Sequence, residues 1–224
     1  RLAQMVKAAA SCKYKLQGRT LAAPRGPHAH AGKQWNGRII AIAASTGGVE
    51  AVSHLLRSFP VDCPPTVIVQ HMPTKYTAML ARSLGRMVAP KVVEAEDRMP
   101  LERGHVYIAP AGPKHLILRG DNPTMCKLNN GEPINGHRPS ADPMFQSLLT
   151  MPPSKAVGVV LTGMGDDGAR GLKAMRAAGF PTISQSEDSA LIYGMPRAAF
   201  EMGGVSEVLP LESMATRLME LCTC

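Results

Sequence analysis

Three polar residues stand immediately beyond apolar runs: Ser45 after IIAIAA, His71 after TVIVQ, and Asp167 after VGVVLTGMGD. A serine, a histidine and an aspartate are the groups that nucleophilic acyl transfer requires. The hydroxyl needs a neighbouring base to take its proton, and the imidazole needs a carboxylate to fix its tautomer and stabilise its cation. Each residue also has an ordinary use. Ser45 is suited to cap a helix, His71 to sit in a core or a hydrogen-bonded loop, and Asp167, like Asp166, to place charge at a helix N-terminus. Their coincidence at three strand ends favours chemistry, because functional groups in an open parallel sheet collect beyond the carboxyl ends of its strands. His54, on a helix, and His105, ahead of its strand, lack that placement.

Other chemistries find less support. The STGG stretch after Ala44 lacks the G-x-G-x-x-G fingerprint and the Walker lysine of phosphate-binding loops. It is not a G-x-S-x-G elbow either, since position 43 is alanine, and the chain order Ser, His, Asp differs from that of α/β-hydrolases. No H-E-x-x-H and no Cys/His cluster at ligand spacing suggests a metal, and none is expected. His28 and His30 read as solvated residues of a tail.

The elements that must position the three residues are legible as an alternation. RIIAIAA, TVIVQ and AVGVVLTG are buried-strand candidates. After them come helical spacings: Val49, Val52, Leu56 and Phe59; then Leu80, Leu84, Met87 and Val88; then ARGLKAMRAAG, which Gly179 would end. Leu211, Met214, Leu218 and Leu221 give a closing amphipathic helix. Apolar strands alternating with amphipathic helices predict an α/β fold: a mostly parallel, doubly wound sheet covered by helices on both faces. The runs HVYIAP, HLILR and TMCKL, separated by turn residues, predict a short antiparallel β insertion.

Residues 1–37 differ in kind. RLAQMVKAAA reads as the end of a helix, and the Pro-, Gly- and base-rich stretch after it as a linker. The first residue is Arg1, so a fragment or processed chain is expected. The 224 residues are 45% hydrophobic and only 4% aromatic, which predicts an aliphatic core. No run approaches the roughly 20 apolar residues of a membrane-spanning helix. Five irregularly spaced cysteines point to reduced thiols and a cytoplasmic protein. The net charge of +8 is spread along the chain without the aromatic and basic strips of single-strand binders, and an acidic protein partner accounts for it equally well.

Read together, IAASTGGVEAV, VIVQHMP, HVYIAPAGPKHL, HRPSADPMF, AVGVVLTGMGDDGARGL and GMPRAAFEMGGVSEVLPL resemble the catalytic domain of the CheB family of chemotaxis protein-glutamate methylesterases. The likeness runs in order from Arg38 to about Leu221, which implies a catalytic domain over 38–224 preceded by a linker and the last helix of a receiver domain over 1–37. It implies hydrolysis of glutamyl methyl esters on chemoreceptor helices, and in many members deamidation of receptor glutamines, without cofactor or metal. It puts the triad on Ser45, His71 and Asp167, the aspartate just before the motif's final glycine. Met164 is the implied oxyanion donor, with Thr46 a second candidate, and Arg138 is expected near the cleft, where pairing with Asp142 is its ordinary alternative. The implied partners are methylated receptor helices and, in full-length members, an N-terminal receiver domain that covers the site. Nucleic acid and membrane insertion are not implied. The family often has glycine where this chain has Ala43, which would cost stability if the backbone there took a positive φ. Two other readings compete: a catalytically silent binding module on the same fold, and a nucleotide-binding Rossmann-like protein.

Overall fold

The computed structural model describes residues 34–120 and 123–224. Its centre is β1 (Ile39–Ala44), six residues without a solvent-exposed side chain. Alternate side chains of a strand point to opposite faces, so Ile39, Ala41 and Ala43 enter one core while Ile40, Ile42 and Ala44 enter another. A strand apolar at every position therefore requires cover on both sides.

That cover is helical. α1 (Gly48–Arg57), α2 (Tyr76–Gly85) and α6 (Leu211–Cys222) bury Leu55, Leu56, Leu84, Met214 and Leu218 against the even face of β1. α3 (Ala141–Leu148), α4 (Ala169–Ala177) and α5 (Met195–Glu201) bury Phe145, Leu172 and Met195 against the other. Phe145 has no solvent exposure. Its truncation to alanine is expected to cost about 3–5 kcal/mol, which denaturant titration measures as a lowered midpoint at unchanged slope.

The sheet has seven strands, all paired in parallel, in the order β3-β4-β2-β1-β7-β8-β9. The other strands of this sheet are β2 (Thr66–Gln70), β3 (Lys91–Glu94), β4 (His105–Ile108), β7 (Ala156–Val160), β8 (Thr182–Gln185) and β9 (Glu207–Leu209). The expected doubly wound sheet is thus present. From β1 the chain builds outward through β2, then returns to place β7 on the other side of β1. Strand order reverses between β1 and β7, the switch point beyond whose carboxyl ends α/β sheets carry their sites.

The expected antiparallel insertion needs one correction. HLILR and MCKL form a two-stranded hairpin, β5 (Lys114–Arg119) with β6 (Met125–Asn130), but HVYI does not join it. It is β4, parallel to both β2 and β3, with Val106, Tyr107 and Ile108 buried. The turn residues between HVYI and HLILR mark a departure from the main sheet rather than a hairpin turn. Helix α2 also ends earlier than the apolar spacing suggests, at Gly85, so Met87 and Val88 lie beyond it. Helix α4 ends at Ala177, and Gly179 follows with a φ of 86°.

The expected helical remnant and the tail histidines His28 and His30 lie outside the described residues. Residues 34–37 are described and are tied to the far end of the chain. Trp35 bridges Thr223, and the Asn36 N–H donates to the Cys222 carbonyl at 3.1 Å.

Candidate active site

Three neighbouring strands, β2, β1 and β7, deliver the three candidate residues. Ala44 is the register partner of Gln70, so Ser45 and His71 follow as the next residues on adjacent strands. The ladder continues past the strand ends: the His71 N–H donates to the Ala44 carbonyl at 3.0 Å, and the Ser45 N–H to the Thr162 carbonyl at 3.0 Å. The buried side chain of Gln70 adds a cross-tie. Its Nε2 donates to the carbonyls of both Ser45, at 2.9 Å, and His71, at 3.0 Å.

Ser45 does not cap the helix that follows it. Gly47 occupies the N-cap with a φ of 80° and offers no side chain, while the Ser45 carbonyl accepts the Gly48 N–H at 2.8 Å. The hydroxyl is therefore left for other work. Ala43 lies in regular strand pairing with Val69 and Val160 and is not among the residues with positive φ, so its methyl group costs the backbone nothing.

Asp167 does not serve the N-terminus of its own helix either, since α4 is capped by Gly168. The fully buried carboxylate turns to β2 and α3 instead. Oδ2 accepts the His71 Nε2–H at 2.7 Å and the Ala141 N–H at 2.7 Å, and Oδ1 accepts the Ser140 hydroxyl. Burial pushes its pKa up, but the bonds from His71, the Ala141 amide and Ser140 outweigh that and hold it below the ordinary value. It is an ionised carboxylate aimed at an imidazole. With Nε2–H committed to Asp167, the other ring nitrogen, Nδ1, carries the lone pair of the neutral ring. It is buried and has no hydrogen-bond partner.

The loop after β7 packs against the serine. A Cβ placed on Gly163 would lie 2.7 Å from the Ser45 Cβ and 2.3 Å from the Met195 sulfur, so only glycine lets this backbone approach so closely. Gly163→Ala is expected to lower turnover by about 10²-fold, because a displacement near 1 Å at reacting groups costs that much. Steady-state kinetics on a folded variant checks it. Among the described residues, the N–H groups of Thr46 and Met164 donate to no protein acceptor, and both residues are exposed beside the serine loop and the Gly163 backbone. Free amides of this kind suit an anionic oxygen.

Arg138 does not pair with Asp142. Its guanidinium clamps two carbonyls, Gly112 at 3.1 Å and Gly131 at 2.8 Å. Asp142 accepts the Gly171 N–H at 2.7 Å and the Asn135 amide at 3.2 Å, and burial raises its pKa. From the sequence alone, Gln70, Ser140 and His137 have no assigned role. His137 stacks on His71 with ring centroids 3.7 Å apart and planes 4° from parallel. A polar residue at the end of an apolar strand was a signal for Gln70; HRPS offered only adjacent polar residues for the other two.

No group of three or more His, Cys, Asp or Glu side chains among the described residues forms a metal cage. The buried thiols of Cys63, Cys126 and Cys222 are pushed up to about 12 by desolvation, so they do not compete as nucleophiles at neutral pH.

Known proteins resemble this chain over most of its length. The CheB methylesterase family profile matches residues 40–218. A protein-glutamate methylesterase/protein-glutamine glutaminase of Agrobacterium fabrum is 44% identical over 226 residues, covering 99% of this chain and 64% of that protein. One from Caulobacter vibrioides is 50% identical over 188 residues, covering 84% of this chain and 55% of that protein. The chain thus spans less than two thirds of the length of these relatives. The crystal structure of the Thermotoga maritima CheB methylesterase catalytic domain superposes with a TM-score of 0.79 at 35% identity, covering 83% of this chain and 98% of that one. A profile over most of the chain, these identities and the shared fold lead to one conclusion: the chain belongs to the CheB methylesterase family.

Proposed function

We propose that this chain hydrolyses methyl esters of glutamyl side chains on chemoreceptors, with Ser45 as nucleophile, His71 as base and Asp167 as the carboxylate that orients it. The observation that carries the reading is the His71 ring, whose Nε2 is tied to Asp167 at 2.7 Å while the buried Nδ1 has no partner. An imidazole so held has one nitrogen open to a proton, and the end of the adjacent strand supplies the Ser45 hydroxyl.

In the reaction, the Ser45 Oγ attacks the ester carbonyl carbon as its proton passes to His71 Nδ1. The carbonyl oxygen becomes an oxyanion held by the amides of Met164 and Thr46. The C–OCH3 bond breaks, and Nδ1 returns the proton to departing methanol. Water then enters, gives a proton to Nδ1, and attacks the glutamyl–serine ester. The second oxyanion collapses, the glutamyl–Oγ bond breaks, and Nδ1 returns its proton to Oγ, which leaves a free glutamate and regenerated Ser45. Asp167 remains ionised throughout. The same steps applied to a glutamine amide release ammonia, the second activity in the names of the relatives.

Receptor glutamates lie on long helices, so an open, strand-end crevice suits them, and a net charge of +8 suits an acidic surface. A cytoplasmic site of action fits those substrates; among the described residues no helix is long and apolar enough to cross a membrane. We assign the region that the longer relatives carry beyond the match to an N-terminal regulatory receiver domain, which the helix remnant and linker over 1–37 would join to the catalytic domain. The silent-module and nucleotide readings have no observation in their favour. Incubation with methylated receptor membranes should release methanol, and glutamine-bearing receptors should release ammonia if deamidation occurs. Absence of methanol from a folded chain would defeat the esterase reading.

A further inference from the structure

Histidine 71 is held at one ring nitrogen by Asp167, and a single in-plane bond leaves a ring free to tilt about it. The second restraint is a face. The imidazole of His137 lies parallel to that of His71 at a centroid distance of 3.7 Å. We propose that His137 is a positioning residue for the reaction: its ring clamps the plane of His71 so that Nε2 stays on Asp167 while Nδ1 stays directed to the serine side. The proposal rests on the triad reading given above.

The local chain is built to present that ring. Asn135 and Gly136, with φ of 53° and 80°, form the centre of a tight turn whose two residues both need positive φ, the type I′ pattern favoured by Asn-Gly. Ile134 and His137 close it with paired backbone bonds of 3.1 and 2.9 Å. The turn is anchored on both sides. The Asn135 amide reaches the Asp142 carboxylate at the start of α3, and Arg138 grips the carbonyls of Gly112 and Gly131. Two residues on, Ser140 and the Ala141 N–H hold Asp167. One short segment, 135–142, therefore touches both the base and its carboxylate.

The test uses His137→Ala and His137→Phe, the second keeping a flat ring at the same place. Three readouts are combined: modification of Ser45 by a fluorophosphonate, kcat and KM for methyl-ester hydrolysis, and the 15N spectrum of the His71 ring. In His137→Ala, Ser45 modification and kcat should fall about tenfold or more with KM little changed. The His71 nitrogens should move from one fixed tautomer toward averaging. His137→Phe should recover most of the rate. Wild-type rates and an unchanged His71 spectrum in His137→Ala would overturn the proposal, as would a phenylalanine variant no better than alanine. The two failures are separable: a wild-type chain whose Ser45 is not modified, or a Ser45→Ala chain modified equally, overturns the triad reading and this proposal with it.

Discussion

Replacing Ser45 with alanine is expected to reduce methanol release by about 10⁴-fold or more, since loss of one member of a triad removes the covalent route. The fold should survive. Ser45 contributes its backbone to the sheet ladder, with its N–H on Thr162 and its carbonyl on Gly48 and Gln70, while its hydroxyl caps nothing. Circular dichroism and the unfolding midpoint should therefore stay near those of the parent. Substantial turnover in a well-folded alanine variant would mean that another group attacks the ester.

The two adjacent aspartates should part company when each is changed to asparagine. Asp167 accepts the His71 Nε2–H, the Ala141 N–H and the Ser140 hydroxyl, and an amide cannot accept all three. If its NH2 turns to His71, Nε2 must accept, and the ring proton moves to Nδ1, the nitrogen that must be bare to take the serine proton. The expected loss is about 10⁴-fold in kcat, the consequence of a wrong tautomer. Asp166 is half-buried, and only its carbonyl is engaged, accepting the Ala169 N–H at 3.1 Å. Its asparagine variant should lose no more than a helix-terminal charge contributes, about 0.3–1 kcal/mol. Equal kinetic losses would contradict the choice of carboxylate.

Asp167 also ties activity to acid stability. Its folded pKa lies below the unfolded value of about 3.9, so its contribution is fully present above that pH and is lost as pH falls through the lowered folded value. Asp167→Asn should accordingly flatten the fall in stability below about pH 4, which acid titration of the unfolding midpoint would show.

Much of this was readable from the chain because the relevant signals are local. IIAIAA and TVIVQ announce strands buried on both faces by composition alone, and the residue after each strand falls at the carboxyl edge of the sheet without further information. The Ser and His positions follow directly. HVYI misled because a buried strand looks the same whether its neighbours are parallel or antiparallel; its partners β2 and β3 are settled by packing distant in sequence. The same limit hid the support around the site. Nothing in HRPSAD says that His137 will stack on a residue 66 positions earlier, or that Ser140 will meet Asp167 across 27 positions. Arg138, expected near the cleft with pairing to Asp142 as its ordinary alternative, holds two carbonyls of neighbouring loops, a use invisible until those loops are placed.

The most direct test of the central claim is covalent. The chain should be treated with a phosphonate mimic of a glutamyl ester, digested, and mapped by mass spectrometry while methyl-ester turnover is followed in parallel. One added phosphonyl group is expected, on the peptide carrying Ser45, with activity lost in proportion to its formation. Attachment to any other residue, or full loss of activity with Ser45 unmodified, would contradict it.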